Sequence, residues 1–323
     1  MSDGGAGPPA EASGGPLALG PGREFDVVRG LLARWGELAR GIGGDCAELQ
    51  VPAGSRLVVS TDSSVEDVHF RRGWLAARDV GYRAAAAALS DLAAAGAAPL
   101  GLLLALTLPD AWRDELGEIA DGVGDAARLA GAPIVGGDLS AGAALSLTLT
   151  VLGHAVRPLS RAGARPGDAL FVTGALGGPA AAVLAHVEGR RPEAGHQRRF
   201  ARPVPRIAEG RWLAAHGATA AVDVSDGLAA DARHIAAASG VRLWLDVDRV
   251  PRVEGVELAR ALAGGEEYEL LVAAPDTLDV AAFDARFGVP LTRVGRVEAL
   301  AAGERAGVHA RVDLPGGHDH FAR

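Results

Sequence analysis

Ala218-Thr219-Ala220-Ala221-Val222-Asp223-Val224-Ser225-Asp226-Gly227-Leu228 sets an apolar run, an acidic turn and a helix start in succession. Ala218 to Val222 reads as a short strand. Asp223 to Gly227 reads as the loop that follows, and Leu228 to Ser239 as a helix. Strand, acidic loop and helix form a unit typical of α/β proteins. Similar units flank it. Ala169 to Thr173 is a strand, Gly174, Gly177 and Gly178 form a turn, and a helix runs on to His186. Leu243 to Val247 and Glu269 to Ala273 read as further strands.

The preceding half runs through a related cycle. Glu24 to Arg40 carries Phe25, Val28, Leu31, Leu32, Trp35 and Leu38 at helical spacing, and Gly41-Ile42-Gly43-Gly44-Asp45 breaks it. Arg56 to Ser60 is a strand running into Thr61-Asp62. Asp79 is expected to N-cap a long helix ending at Gly96, apolar nearly all round and therefore buried. Leu102 to Leu108 is a strand, and Ala111 to Ala130 a helix closed by Gly131. Ile134-Val135 is a short strand delivering Gly136-Gly137-Asp138. Leu145 to Val151 alternates with the period of a half-buried strand. Arg157-Pro158 reads as a junction. The expected class is α/β (α+β) in two α/β domains, residues 23–156 and 157–323, after a disordered Gly/Ala/Pro tail at residues 1–22.

Length and composition agree. A chain of 323 residues is long enough for two domains. The formal charge is −8, from 40 acidic and 32 basic residues, so nothing draws the chain to DNA or anionic lipid. Every basic residue is Arg; there is no Lys. This excludes a Walker-A lysine, a pyridoxal Schiff base and a kinase-type strand lysine. One cysteine, Cys46, excludes an internal disulfide and a cysteine-only zinc site, and reads as a packing residue or helix start. No apolar run is long enough to span a membrane. The lone cysteine and a tail without targeting features lead us to expect a cytoplasmic protein.

Six aspartates lie beside Gly, Ser or Thr, at strand ends or in a helix that should be buried: Asp45, Asp62, Asp91, Asp138, Asp223 and Asp226. Converging carboxylates make a hard, oxygen-only donor set that suits Mg²⁺. Asp91 is the most telling. It lies late in an Ala-rich helix, where both the helix dipole and burial disfavour a carboxylate, so it needs a cation. Arg83 on the same helix is the alternative partner. Taken singly, Asp223 and Asp226 also read as cap or turn residues. Thr173 to Gly178 offers helix N–H groups to a phosphate, or is a structural turn. His69 is placed for a polar substrate contact. His318 and His320 read as solvated tail residues.

Nine segments, in order from about residue 22 to the end, together resemble the thiamine-monophosphate kinase family. They are Gly22-Arg23-Glu24-Phe25, Gly41 to Ala47, Ser60-Thr61-Asp62 with Val65-Glu66 and Val68-His69-Phe70, Leu89-Ser90-Asp91-Leu92-Ala93-Ala94, Gly136-Gly137-Asp138, Ser160-Arg161-Ala162-Gly163-Ala164, Asp223 to Leu228, Gly264-Gly265-Glu266-Glu267-Tyr268-Glu269-Leu270, and Gly317-His318-Asp319-His320-Phe321. The resemblance implies an aminoimidazole ribonucleotide synthetase-like fold, in which the N-terminal domain dimerises and the C-terminal domain closes a nucleotide cleft. It implies ATP-dependent conversion of thiamine monophosphate to thiamine diphosphate. By position it implies Asp45, Ser60, Thr61, Asp62, Asp91, Asp138, Asp223 and Asp226 as ligands of several Mg²⁺ ions. It implies Gly137, Asp138, Arg161 and Ser225 as ATP contacts, and His69, Glu266 and Phe321 as contacts to thiamine monophosphate. No general base is expected, because the acceptor is an ionised phosphate. Asp62, Asp91 and Asp226 are the residues expected to assist direct in-line transfer through metal.

Three positions depart from the family pattern. Gly44 replaces the first of two adjacent aspartates, Asp67 stands where Gly is common, and Glu267 where Asp is common. The last two are expected to keep negative charge beside the substrate. The alternatives are another ATP-using enzyme of the same fold and a non-catalytic nucleotide- or metal-binding module. A selenophosphate synthetase is expected to carry a reactive Cys or selenocysteine with a Lys in the N-terminal tail, and a hydrogenase-maturation relative a terminal Cys. This sequence shows neither.

Overall fold

The computed structural model describes residues 19–316. Most of the expected tail, with His318, His320 and Phe321, lies outside the described residues. The first half begins with α1 (Arg23–Trp35), β1 (Arg56–Val65), α2 (Ala77–Ala94) and β2 (Ala98–Leu108). A 3₁₀ turn at Asp110–Glu115 leads into α3 (Leu116–Ala130), then β3 (Ile134–Ala141) and β4 (Ser146–Ala155). The second half holds β5 (Asp168–Thr173), α4 (Gly178–Val187), α5 (Ala194–Ala201), α6 (Ile207–Ala215), β6 (Ala220–Asp223) and α7 (Leu228–Ser239). It continues with β7 (Arg242–Leu245), α8 (Leu258–Ala263), β8 (Leu270–Pro275), α9 (Val280–Phe287), β9 (Leu291–Glu298) and β10 (Gly307–His309).

There are two sheets among the described residues. The first has the order β1-β4-β2-β3, antiparallel except for the parallel pair β2/β3. The second has the order β10-β7-β9-β5-β8-β6, antiparallel except for β10/β7. Both faces of the second sheet are covered. Ala169 and Phe171 of β5 pack into one core, while Leu170 and Val172 pack into the other. Residues 169–172 of the strand are therefore apolar on both faces, with no polar face to alternate.

Helix α2 lies between the halves. Its Ala84, Ala85, Ala86, Ala88, Leu89, Leu92 and Ala93 share one core with Leu147 and Leu149 of β4, and with Phe171 and Leu270 of the second sheet. Small side chains let backbones approach on both sides. At the crossing with α3, a Cβ on Gly81 would strike the Ile119 carbonyl, and one on Gly122 would strike that of Arg78. The Ala-rich composition here is a packing requirement.

Four expectations change. Asp79 is not the N-cap: α2 starts at Ala77 after Ala76, and no side chain caps it. Asp79 lies in the first turn and pairs instead with Arg202 at 3.3 Å. Ser60, Thr61 and Asp62 are in the middle of β1, because β4 pairs with that strand along its whole length. Gly136-Gly137-Asp138 is not a loop after a strand but part of β3. Gly137 fits there because a Cβ would collide with the Leu104 carbonyl of β2. Cys46 is exposed and outside any helix, so it is neither packing residue nor helix start.

Candidate active site

A cavity of about 780 Å³ opens between the two halves. β1 contributes Asp62, α2 contributes Asp91, and the β6–α7 link contributes Asp223, Ser225 and Asp226. Arg161 and His69 line it from connecting segments, and Glu266 and Tyr268 from the segment before β8. The β6–α7 link is held in place by backbone: Glu266 N donates to Ser225 O at 2.8 Å, and Glu267 N to Val224 O at 3.0 Å. Trp74, Val68, Val183 and Leu184 supply an apolar wall.

Strand alternation decides which side chains face inward. Ser60 and Asp62 point towards α2, and Ser60 Oγ donates to Asp91 Oδ2 at 2.5 Å. Thr61 also lines the cavity, but its hydroxyl is paired with that of Thr150 on the neighbouring strand. Asp62 Oδ1 accepts from Ser63 N at 2.8 Å. Arg83 does not partner Asp91. It lies two helical turns away, about 12 Å along the axis, and forms an ion pair with Glu266 while stacking over Phe200.

The carboxylates crowd one another. Burial pushes Asp62 and Asp91 above the ordinary carboxylate range, and the charge of Asp91 adds to the shift at Asp62. Ser60 and the field of Arg161 partly offset this at Asp91. Asp223 is buried and pushed up to about 7, first by desolvation and then by the charge of Asp91. Asp231 on α7 is also pushed up to about 7 by burial.

These shifts have a sign in stability. A carboxyl whose folded value lies near 7, against an ordinary 3.8, binds its proton more tightly when folded. Its contribution is present below the ordinary range and is lost as pH rises through 7. Metal-free protein is therefore expected to melt at lower temperature at pH 8 than at pH 6. Each of the two groups accounts for roughly 1 kcal/mol. Added Mg²⁺ is expected to flatten the slope; a flat slope without metal would refute the crowding.

Among the described residues, three that are not glycine have left-handed backbones: Asp67 at φ 65°, Glu266 at φ 64° and Tyr268 at φ 54°. All three line the cavity. Such strain persists where the surrounding structure fixes a side chain in place. It also explains why glycine suits the position of Asp67. Glu267 does not face the cavity as expected. It is buried and accepts from Gly177 N, at the start of α4, with burial pushing it to about 8. That carboxylate occupies the helix N-terminus where a phosphate was the alternative reading, so the glycine-rich turn is structural.

The single chain does not bring every expected residue here. Asp45, Gly137 and Asp138 do not line the cavity. Asp138 is exposed on the edge strand β3, level with Ala105, Thr148 and Ser63 on the face away from α2. Three strand spacings, about 14 Å, separate it from β1. Tyr268, Trp74, Asp231 and the Arg83–Glu266 pair are additions that sequence reasoning did not supply. For Arg83 the available signal was its position as the one charge in the run 80–90 of a buried helix.

The AIR synthase related protein family matches this chain twice, its N-terminal domain over residues 43–155 and its C-terminal domain over residues 165–306. A curated thiamine-monophosphate kinase of Salmonella typhimurium is 39% identical over 323 residues, covering 93% of this chain and 96% of its own. The chain belongs to the thiamine-monophosphate kinase family. The thiamine-monophosphate kinase of Stenotrophomonas maltophilia K279a has the same fold, with a TM-score of 0.80 at 36% identity, covering 91% of this chain and 98% of that one. AaThiL, solved in complex with AMPPCP and TMP, gives a TM-score of 0.73 at 29% identity over 92% of this chain and 97% of that one. The thiamine-monophosphate kinase fold expected from the nine segments is the fold observed.

Proposed function

We propose that the chain transfers the γ-phosphoryl group of ATP to the phosphate of thiamine monophosphate, giving ADP and thiamine diphosphate. The observation that carries this is the convergence of Asp62, Asp91, Asp223 and Asp226 with Arg161, His69 and Glu266 on one cavity. A relative of the same fold solved with AMPPCP and TMP supports it.

Mg²⁺ fits the residues present. The donors are oxygens, they crowd one another, and burial leaves them short of compensating charge despite the field of Arg161. Asp62, Asp91, Asp223 and Asp226 would hold the ions, with Ser60 orienting Asp91. Bound there, the ions would neutralise charge on the two phosphate groups. Asp45 and Asp138, expected as further ligands, lie apart from this set in a single chain.

The chain's own residues do the rest. Arg161 presents a forked guanidinium suited to phosphate, and Ser225 lines the same cavity for ATP. His69 Nδ1 accepts from Val65 N at 3.1 Å, which anchors the ring at the cavity wall. Glu266 is held by Arg83 and faces the thiamine moiety. An oxygen of the acceptor phosphate attacks the γ-phosphorus in line as the bond to the bridging oxygen of ADP breaks; no base is needed. Positioning and charge neutralisation carry the rate.

Residues 157–323 are proposed to close the cleft over residues 23–156 in a cytoplasmic homodimer. The edge strand β1 leaves Leu57 and Val59 exposed at 48% and 56%, an apolar edge that a second copy would cover.

The deciding experiment incubates pure protein with ATP, Mg²⁺ and thiamine monophosphate and separates the products. Equal amounts of ADP and thiamine diphosphate are expected, with free thiamine a poor acceptor. Diphosphate formed directly from thiamine would refute the reading, as would ATP turnover only on an unrelated acceptor.

A further inference from the structure

We propose that Asp226, Asp231 and His234 form a second cation site at the rim of the cavity, for a divalent transition ion such as Zn²⁺ or Co²⁺. Asp231 and His234 are three residues apart on α7, one turn along the same helical face. Asp226 sits in the link just before that helix. One carboxylate oxygen from each aspartate and one ring nitrogen of His234 all lie within 4.8 Å of one another. Small side-chain rotations close that spacing onto a single ion at ordinary ligand distances of about 2.0–2.2 Å.

An independent observation points to a missing ligand. Asp231 is fully buried, at 0% exposure. Its Oδ2 accepts from Ser225 N at 3.1 Å and Asp226 N at 3.0 Å, while its Oδ1 has no hydrogen-bond partner. Among the described residues no arginine forms an ion pair with it. Buried carboxylate oxygens are ordinarily satisfied, and a cation held with Asp226 and His234 would satisfy this one. Asp226 is half-buried and His234 exposed, so an ion can enter from solvent.

The donor set distinguishes this site from the oxygen-only one proposed above. An imidazole nitrogen favours borderline transition ions over Mg²⁺. The two sites share Asp226, so filling the second withdraws a carboxylate from the first. Transition ions are therefore inhibitory at fixed Mg²⁺. Only the inhibition rests on the proposed kinase reaction; the binding does not.

The test titrates Co²⁺ and Zn²⁺ into the full chain without nucleotide, by visible absorption for Co²⁺ and calorimetry for Zn²⁺. One ion per chain is expected at this site. His234→Ala is expected to weaken it by at least about tenfold and to abolish the His-dependent Co²⁺ spectrum. Mg²⁺-dependent turnover of His234→Ala should match the wild type, while its half-inhibitory Zn²⁺ concentration rises by at least about tenfold. Unchanged affinity and spectrum in His234→Ala would overturn the proposal, as would a wild type that binds neither ion. Asp231→Asn supplies a second arm if His234→Ala is ambiguous: it keeps an acceptor for the Ser225 and Asp226 N–H groups and removes the charge. Histidine-dependent Co²⁺ binding in a protein without kinase activity would sink the kinase reading alone.

Discussion

Asp62→Asn is expected to lower kcat by about 10²–10³-fold at saturating Mg²⁺ while leaving the fold intact. Asp62 lies mid-strand on β1 with its carboxylate on the cavity wall, and it supports no core contact. The amide matches the carboxylate in volume and can still accept from Ser63 N, so the strand is undisturbed. What disappears is one unit of negative charge in the site proposed to hold cations between two polyanions. In metal-free buffer the same change removes a buried carboxyl that burial and Asp91 both disfavour. The melting temperature is therefore expected to rise while activity collapses. A near-normal kcat would show that Asp62 is only a strand residue.

Arg83→Met is expected to act in the opposite sense, lowering both stability and substrate affinity. Arg83 is 2% exposed on α2, and its ion pair with Glu266 ties the first half of the chain to the loop before β8. Its guanidinium also covers the ring of Phe200 at 4.8 Å. Removing one partner of a buried pair leaves the other uncompensated, at a cost of about 3 kcal/mol. A fall of several degrees in melting temperature should result. Glu266 would be released from its left-handed position, and the KM for thiamine monophosphate is expected to rise more than that for ATP. Arg83→Lys should recover part of both effects. Unchanged melting and unchanged KM would show that the pair is incidental.

What could be read from the chain follows from the range of the interactions involved. Leu228 to Ser239 coincides with α7 because its boundaries are local: Gly227 ahead and Gly240 in a left-handed C-cap. Gly131 closes α3 for the same reason. α5, α6 and α8 carry no comparable local signal. They are short, and α5 carries polar and Arg-rich residues whose helicity depends on packing His196 and Phe200 inward. Asp79 has the local signature of a cap, but α2 starts at Ala77, and Arg202 claims the Asp79 carboxylate from far along the chain. The Gly136-Gly137 pair looked like a turn, but β2 beside it requires the absent side chains. The candidate site was legible as acidic residues beside small ones. Its sidedness was not, since alternation along β1 and the register of β3 separate Asp62 from Thr61 and Asp138. The pairing of Arg83 with Glu266 joins segments distant in sequence, and no local pattern announces it.

Because α2 packs into the cores of both halves, neither half is closed on that side without it. Calorimetry should show one cooperative heat-absorption peak, not two, with calorimetric and van't Hoff enthalpies in agreement. Cutting the chain between residues 156 and 157 would strand the helix with one piece and leave the other with an open apolar face. The spine that carries Asp91 and Arg83 is therefore a common axle for the whole molecule.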